Sequence, residues 1–450
     1  MTAIAAGSES FAVARGERGT GRRSLVTWLA LAAVAFTFAV SGIVFTEPAP
    51  VDALSIGLTV LLPVIGLVAF NRVIFAYGAL WLVAGACAVL AATFSLDIGA
   101  TMTHVGVTLY LYAASFVIAG FVAKSPRAHT ELILKAWTVA ALIASAAAIV
   151  GYFGLVPGSQ MFTLYDRASG TFKDPNVLGP FVIVPLIYML NIALDSRLRG
   201  MIIPLAIAAF LMLAVFLSFS RGAWFNLVVS LAIFGYMALA TTRKSIVRLK
   251  IVGLLAVGSI LAVGVVLAAV SNDQVAELLS QRASLDQSYD TGAEGRFGGQ
   301  EKAIGLILDN PLGIGAQEFV SRHHAEKVHN VYLTVLLSAG WLGGGIYLIL
   351  VCLTLVLGFR HLMRATDTRM LFLVVYSTFA ATALEGMIID SDHWRHFYVL
   401  MAIIWGFLAA TTTVDGQVIA RRAPRLIRPQ PRVAGRPRRP HIIGPAPRPA

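Results

Sequence analysis

Long apolar stretches separated by short polar segments run along most of the chain. Each holds about 20 residues, enough for a helix to cross the ~30 Å hydrocarbon core of a bilayer. The stretches are uniformly apolar rather than alternating, which is typical of membrane helices and not of barrel strands. The pattern predicts twelve membrane-spanning helices, at residues 25–45, 52–70, 73–94, 100–123, 132–155, 177–194, 201–217, 222–241, 251–271, 330–357, 370–389 and 396–414.

The composition supports this fold class. Hydrophobic residues make up 58% of the chain and charged residues 13%, whereas soluble domains have about 25% charged residues. The predicted fold is therefore that of an all-α polytopic membrane protein. No cysteine and histidine spacing typical of a metal site occurs in the sequence, so neither a metal nor another cofactor is expected.

Lysine and arginine are concentrated in every second loop. The loops between these are poor in positive charge. Because cytoplasmic loops carry the excess of positive charge, both termini are predicted to lie in the cytoplasm. The positive segments hold Arg15, Arg18, Arg22, Arg23, Arg72, Lys124, Arg127, Arg197, Arg199, Arg243, Lys244, Arg248, Lys250, Arg360, Arg364 and Arg369.

This topology leaves two longer loops outside, at residues 156–176 and 272–329. In the larger loop, acidic residues outnumber basic ones. Apolar residues at helical spacing, around Val275 and again around Ile304, predict amphipathic helices on the membrane surface. Asn310-Pro311 is expected to end the second of these helices.

The chain is divided into three parts. Residues 1–24 are predicted to be a cytoplasmic segment, residues 25–414 the transmembrane domain, and residues 415–450 a disordered tail rich in arginine and proline. The tail is interpreted as a topology anchor or as a ligand for anionic lipid headgroups. Nucleic-acid binding is the weaker reading of a basic tail held at the membrane, and no nucleic-acid partner is expected.

Arg221 is the first candidate for chemistry. The sequence Ser220-Arg221-Gly222 separates two apolar spans almost without a loop, and it faces outside, against the positive-inside bias. An arginine there either marks the end of a span or faces an anion. Its planar guanidinium suits a diphosphate, which it can hold through two parallel bonds.

Other polar residues of the outer loops are weaker candidates. Arg296 opens the second amphipathic helix and is either a solvated charge or a second contact to the anion. In the smaller loop, Arg167 and Lys173 precede Asp174-Pro175-Asn176, which is typical of a turn and helix cap. Arg322 and Asn176 are further candidates for a supporting role.

His329 is the candidate general base. Its ordinary pKa of about 6.5 lets an imidazole accept a proton from a hydroxyl at neutral pH. The alternative is a polar residue at a helix entry, with Asn330 as the cap. Glu385, inside the predicted span 370–389, is either functional or a hydrogen-bonded structural acid.

Four landmarks occur in order along the chain: Gly170-Thr171-Phe172-Lys173-Asp174-Pro175-Asn176; Ser220-Arg221-Gly222; Arg296 followed by Asn310-Pro311-Leu312-Gly313-Ile314-Gly315; and His329-Asn330 with Gly340 and Gly343. With the spans and the large outer loop, they resemble the O-antigen ligase and O-antigen polymerase superfamily of bacterial envelope glycosyltransferases. The similarity covers roughly residues 160–350.

The resemblance implies a metal-independent glycosyltransferase of the bacterial inner membrane that works on the periplasmic face. Its donor would be a glycan on undecaprenyl pyrophosphate. Arg221 and Arg296 match arginines that hold the pyrophosphate, and His329 matches a histidine that assists the acceptor hydroxyl. The acceptor would be another glycan or the lipid A core, with membrane lipids and a chain-length regulator as further partners.

Alternatives remain open at this point. Polymerase and ligase are not separated by any residue. A transporter or flippase of the lipid-linked glycan would need charges near the bilayer midplane and broken helices in related halves. A structural protein of the envelope would leave His329 and the arginines dispensable.

Overall fold

The computed structural model describes residues 24–46, 48–270 and 295–411. Within them the regular secondary structure is helical apart from one short hairpin and one isolated bridge, so the predicted all-α class is confirmed there. Apart from Ser24, the predicted cytoplasmic segment 1–24 lies outside the described residues, as do the basic tail 415–450 and the amphipathic helix predicted around Val275.

The described α-helices are α1 Leu25–Ala39, α2 Pro50–Val64, α3 Arg72–Ala92, α4 Ile98–Lys124, α5 Pro126–Tyr152, α6 Pro175–Asp195, α7 Ile202–Leu217, α8 Arg221–Thr241, α9 Ser245–Val270, α10 Arg296–Asp309, α11 Val331–Leu362, α12 Arg369–Glu385 and α13 Arg395–Ala410. Short helical turns cover Ser159–Phe162, Leu198–Met201 and Phe319–His323. Strands β1 Thr163–Leu164 and β2 Arg167–Ala168 form an antiparallel hairpin.

Among the described residues, seven helices are long and apolar enough to cross a membrane, so the chain is a multi-pass membrane protein. These are α3, α4, α5, α6, the helix Leu198–Leu217, α8 and α11. Each of the twelve predicted spans coincides with a helix. That all twelve cross the bilayer remains a prediction.

The first two predicted spans are longer than the helices that form. α1 ends at Ala39 rather than near residue 45, because the following chain pairs with the smaller of the two predicted outer loops, residues 156–176. The Val44 amide donates to the Thr171 carbonyl at 2.8 Å, and the Lys173 amide donates to the Val44 carbonyl at 2.9 Å. α2 ends at Val64, and the Ala69 amide donates instead to the Gly120 carbonyl of α4.

The helices pack mainly in pairs. α4 lies along α13, α3 along α11, α6 against α7, and α8 against α12. α6, α12 and α13 are buried along most of their length. These central helices hold the segments 163–176, 218–222, 295–300 and 386–394 close enough to line one cavity.

Gly340 interrupts α11. Its φ of 70° is left-handed, and a side chain there would place its Cβ 2.6 Å from the Pro311 carbonyl oxygen. The Ile314 amide donates to the Leu337 carbonyl and the Trp341 amide to the Pro311 carbonyl, so the Pro311–Gly315 turn docks into the break. Glycine at this position therefore allows both the break and the close approach of the turn. Gly343 also allows a close approach, since an added Cβ there would lie 2.7 Å from Cys87 Cβ.

Candidate active site

A cavity of about 530 Å³ opens where these segments meet, and we call it the arginine cavity. It lies among the loop 156–176, the starts of α8 and α10, and the turns before α11 and α13. Its lining residues are Arg167, Asp174, Asn176, Phe219, Ser220, Arg221, Gly222, Phe225, Arg296, Phe297, Gln300, Lys327, His329, Met387, Ile388, Ile389, Asp390 and Trp394.

Arg221 enters this cavity as the first residue of α8. The Ser220 hydroxyl caps the helix by accepting from the Ala223 amide at 3.3 Å. Phe219, just before it, has a left-handed φ of 45°, which turns the chain sharply out of α7. The amides at a helix N-terminus favour anions, so Arg221 adds its charge to a site already suited to a negative ligand.

Glu385 lies behind Arg221 and does not line the cavity. Its side chain is fully buried, and the Asn226 amide of α8 donates to Oε2 at 2.8 Å. A side chain at Gly222 would place its Cβ 2.7 Å from Glu385 Oε1, so only glycine allows this approach. Glu385 therefore joins α12 to the first turns of α8, which agrees with the structural reading of this acid.

Arg167 and Asn176 act together. The Arg167 Nη2 donates to Asn176 Oδ1 at 2.7 Å, and its Nε donates to the Ser218 carbonyl at 2.8 Å. Asp174 caps α6 by accepting from the Asn176 amide at 2.8 Å, which confirms the predicted turn and cap. The buried Arg167 thereby fixes the smaller loop to the end of α7.

Arg296 begins α10, which ends at Asp309 as the Asn310-Pro311 break predicts. Phe297, Ile304 and Leu308 are exposed along the helix, while Gly299, Ala303 and Ile307 are buried. The predicted amphipathic helix is thus present. Its first turn brings Arg296 to the wall of the arginine cavity, which Arg221 also lines.

His329 is held by its backbone. Its amide donates to Asp390 Oδ2 at 3.0 Å, and the Asn330 amide donates to Asp390 Oδ1 at 3.2 Å. The Thr334 hydroxyl donates to Oδ1 as well, at 2.6 Å. Asn330 caps α11 through the amides of Tyr332 and Leu333, as the alternative reading of this motif predicts. His329 itself has a left-handed φ of 53°.

The electrostatics around His329 favour a neutral imidazole. Burial lowers the pKa of His329, and the nearby Arg296 guanidinium lowers it further, against the opposing effect of Asp390 and Glu326. Burial also raises the pKa of Asp390, together with the charge of Asp392. At neutral pH the His329 side chain is therefore able to accept a proton.

A second cavity, of about 420 Å³, lies beside the first, and we call it the apolar cavity. The two share Asp174, Lys327, Asp390 and Trp394 as a common wall. Apolar residues of α1, α2 and α4 form one part of its lining. Its mouth is polar.

Three side chains meet at this mouth. His104 Nε2 lies 3.2 Å from Asp392 Oδ2, and the rings of His104 and His393 stack with centroids 3.9 Å apart. Although burial raises the pKa of Asp392, the hydrogen bond with His104 and the charge of His393 hold it well below its ordinary value. Burial lowers the pKa of His393 to about 4.

The same three residues form a group that can hold a metal ion, since their ligand atoms lie within 4.8 Å of one another. Sequence spacing could not find this group because His104 and Asp392 are far apart in the chain. An ion is not needed to keep the group together. Asp392 accepts a bond from His104, and His393 Nε2 is 3.0 Å from the Thr108 hydroxyl.

The structure brings together most of the candidates, but not all. Ser220, Arg221, Arg296, His329, Arg167 and Asn176 line the arginine cavity. Lys173 lines the apolar cavity instead, and Arg322 lies 3.7 Å from Glu318, away from both. Lys327 also lines the arginine cavity but is not among the predicted site residues. A lysine two residues before His329, on the side predicted to be poor in positive charge, could have indicated its place in the site.

The fold and these cavities define a multi-pass helical membrane protein with a cationic cavity walled by interhelical loops. Residues 206–348 match the family model of the O-antigen ligase, so the resemblance predicted from the motifs is confirmed over this stretch. It includes Arg221, Arg296 and His329, whereas the Gly170–Asn176 motif lies before it. The comparison with curated proteins gives no match.

Proposed function

We propose that the protein is a glycosyltransferase of the bacterial inner membrane, with both termini in the cytoplasm. It moves a glycan from undecaprenyl pyrophosphate to a sugar hydroxyl on the periplasmic face, as an O-antigen or exopolysaccharide polymerase or as an O-antigen ligase. The observation that carries the proposal is that two arginines and a histidine from three separate segments line one cavity.

The arginines suit a lipid pyrophosphate. Transfer breaks the bond between the anomeric carbon and the pyrophosphate oxygen, and the departing group keeps the electron pair. Arg221 and Arg296, helped by the N-terminus of α8, stabilise the negative charge that develops there. With no nucleotide sugar in the periplasm, this leaving group supplies the energy of the reaction.

The rim of the cavity suits the lipid tail. Phe225 is 42% exposed, Phe297 is 62% exposed and Met387 is 55% exposed. Apolar side chains exposed beside a cationic cavity are favourable when they face lipid. A prenyl chain can therefore stay in the bilayer while its pyrophosphate lies between the arginines.

His329 completes the reaction as general base. It takes the proton of the acceptor hydroxyl while that oxygen bonds to the anomeric carbon. Its lowered pKa keeps the imidazole neutral and ready for this step at neutral pH. Asp390 does not touch the substrates in this scheme; it is a positioning residue that holds the backbone of His329.

A deletion strain complemented with variants tests the proposal. Arg221→Ala, Arg296→Ala and His329→Ala should each abolish polymer or ligated glycan on a gel, while the protein inserts normally. Loss of long chains alone would indicate a polymerase, and loss of all glycan from lipid A a ligase. Wild-type banding from all three variants would instead favour a transporter or a structural protein.

The geometry of Arg221 and the need for a metal are tested separately. Arg221→Lys should also fail, because lysine cannot form two parallel bonds to a pyrophosphate. We propose a metal-independent reaction, so the purified protein should keep its activity in EDTA. Activity lost in EDTA and restored by zinc would assign a metal to His104, Asp392 and His393.

A further inference from the structure

Two histidines and an aspartate from distant parts of the chain meet at the mouth of the apolar cavity. His104 lies near the start of α4, and Asp392 and His393 lie in the turn that joins α12 to α13. Each residue offers one nitrogen or oxygen atom, and these atoms lie within 4.8 Å of one another. Two imidazoles and a carboxylate form a ligand set that binds divalent transition metals such as zinc.

The separations fit such an ion after a small closure of the side chains. Bonds of about 2.0–2.1 Å in a tetrahedral site leave neighbouring ligand atoms roughly 3.3 Å apart. His104 Nε2 and Asp392 Oδ2 are already 3.2 Å apart, and the rings of His104 and His393 stack with centroids 3.9 Å apart. All three residues are half-buried, so an ion can reach them from the cavity and keep a water in its remaining position.

Neighbouring side chains hold both imidazole rings. The Gln317 side-chain amide is 3.0 Å from His104 Nδ1, which leaves Nε2 directed at Asp392. His393 Nε2 is 3.0 Å from the Thr108 hydroxyl. Outer partners of this kind fix the orientation of metal-binding histidines. An ion that takes the place of a proton between His104 and Asp392 shifts that proton to Nδ1, where the oxygen of a turned Gln317 amide can accept its bond.

The charges along the cavity are compatible with a cation. Lys173 and Lys327 line the cavity and oppose a positive ion. Asp174, Asp390 and Asp392 line it as well and offset the two lysines. The direct bond between the ion and Asp392 adds to this balance, since a carboxylate bound to a metal is held in its charged form.

We propose that His104, Asp392 and His393 form a structural site for a divalent transition metal, with zinc as the best match. The ion joins α4 to the turn before α13. Asp390 of the same turn accepts from the His329 amide at 3.0 Å, so a bound ion steadies the segment that holds the candidate base. None of the three ligands, all of them described residues, lines the arginine cavity. The ion therefore leaves the transfer step metal-independent, and the inference does not rest on the proposed function.

Metal binding by the full chain in detergent tests the site directly. The protein is stripped with EDTA, any purification tag is removed, and cobalt(II) is the probe because its visible absorption depends on its ligands and geometry. The wild type should take up a single equivalent of cobalt, and zinc should displace it. Bound zinc should also raise the melting temperature, and EDTA should reverse the rise. No uptake of cobalt by the wild type would overturn the proposal.

A matched pair of histidine variants locates the ion. His104→Ala should weaken cobalt binding by more than about 100-fold, since the loss of an outer partner alone costs about 10–100-fold. His323→Ala, at a described residue that lines neither cavity, should bind cobalt as the wild type does. Equal cobalt affinities in these two variants would contradict the inference.

Two further variants cover the case in which His104→Ala does not fold. Asp392→Asn keeps the shape of the side chain and should weaken cobalt binding by about 10-fold or more, because the neutral amide is a poorer ligand. Gln317→Ala removes an outer partner and should weaken it by about 10-fold. Thermal melting in EDTA checks the folding of each variant, and unchanged cobalt affinity in both would refute the site. Arg221→Ala should lose glycan transfer but bind cobalt normally, so this inference and the proposed function fail separately.

Discussion

The arginine cavity and the apolar cavity share a wall but differ in chemistry. The first gathers guanidinium groups at the starts of two helices, and the second combines an apolar floor with a mouth of carboxylates and imidazoles. They have only Asp174, Lys327, Asp390 and Trp394 in common. The difference teaches that one wall of four residues can separate a cluster of guanidinium groups from a largely apolar hollow, and Asp390 of that wall holds the backbone of His329.

The largest expected effect on the transfer rate comes from removing a cation of the arginine cavity, compared with removing a cation of the apolar cavity. Arg296→Ala should lower the transfer rate by about 100-fold, as for the loss of one preorganised charge contact to a leaving group. Lys173→Ala removes a cation from the apolar cavity and should change the rate by less than about 3-fold. Initial rates of the purified variants decide this.

Equal losses of transfer rate in the two variants would mean that the cations of the arginine cavity contribute no more to the reaction than Lys173 does. Both variants should first be compared by thermal melting. Arg296→Lys serves as the control for charge, since it keeps the cation but not the planar fork.

The shared wall is expected to have an intermediate effect. Asp390→Asn keeps the shape but weakens the bonds to the His329 and Asn330 amides, so the rate should fall about 10-fold. The loss should appear in kcat more than in KM for the donor, because the base and not the pyrophosphate site is displaced. An unchanged kcat would show that His329 is positioned without this carboxylate.

The smallest effect concerns pH. Because the pKa of His329 is lowered, the neutral base should persist to a pH below its ordinary range, and activity should fall only below that point. Glu326 acts in the opposite direction, so Glu326→Gln should lower this pKa further and move the acid limb of the rate profile to lower pH. Glu301→Gln, an exposed change on α10, is the control, and the same shift in both would exclude a local effect.

Much of the fold could be predicted from hydropathy alone. Apolar runs fix where helices form in a membrane because every backbone group must be bonded within its segment. The predicted ends of α1 and α2 are wrong because the amides of Val44 and Ala69 donate to the carbonyls of Thr171 and Gly120. These partners are distant in the sequence, so no local pattern predicts them. The break at Gly340 depends in the same way on the turn at Pro311.

The candidate site could be predicted in part for a similar reason. Arg221 and His329 can be recognised in the sequence because ionisable side chains at the ends of long apolar runs stand out and are candidates for a functional role. The position of Glu385 behind Gly222, and the meeting of His104 with Asp392, result from helix packing between distant segments. Lys173 lines the apolar cavity because its backbone amide donates to the carbonyl of Val44, which also lines that cavity.

The left-handed backbone of His329 has a thermodynamic consequence. A non-glycine residue in this conformation costs the folded protein about 1 kcal/mol. Glycine at this position should therefore raise the melting temperature while leaving the enzyme inert, whereas the same exchange at a helical histidine such as His361 should lower it. If removing the imidazole raises the melting temperature, the His329 side chain serves catalysis and not the stability of the fold.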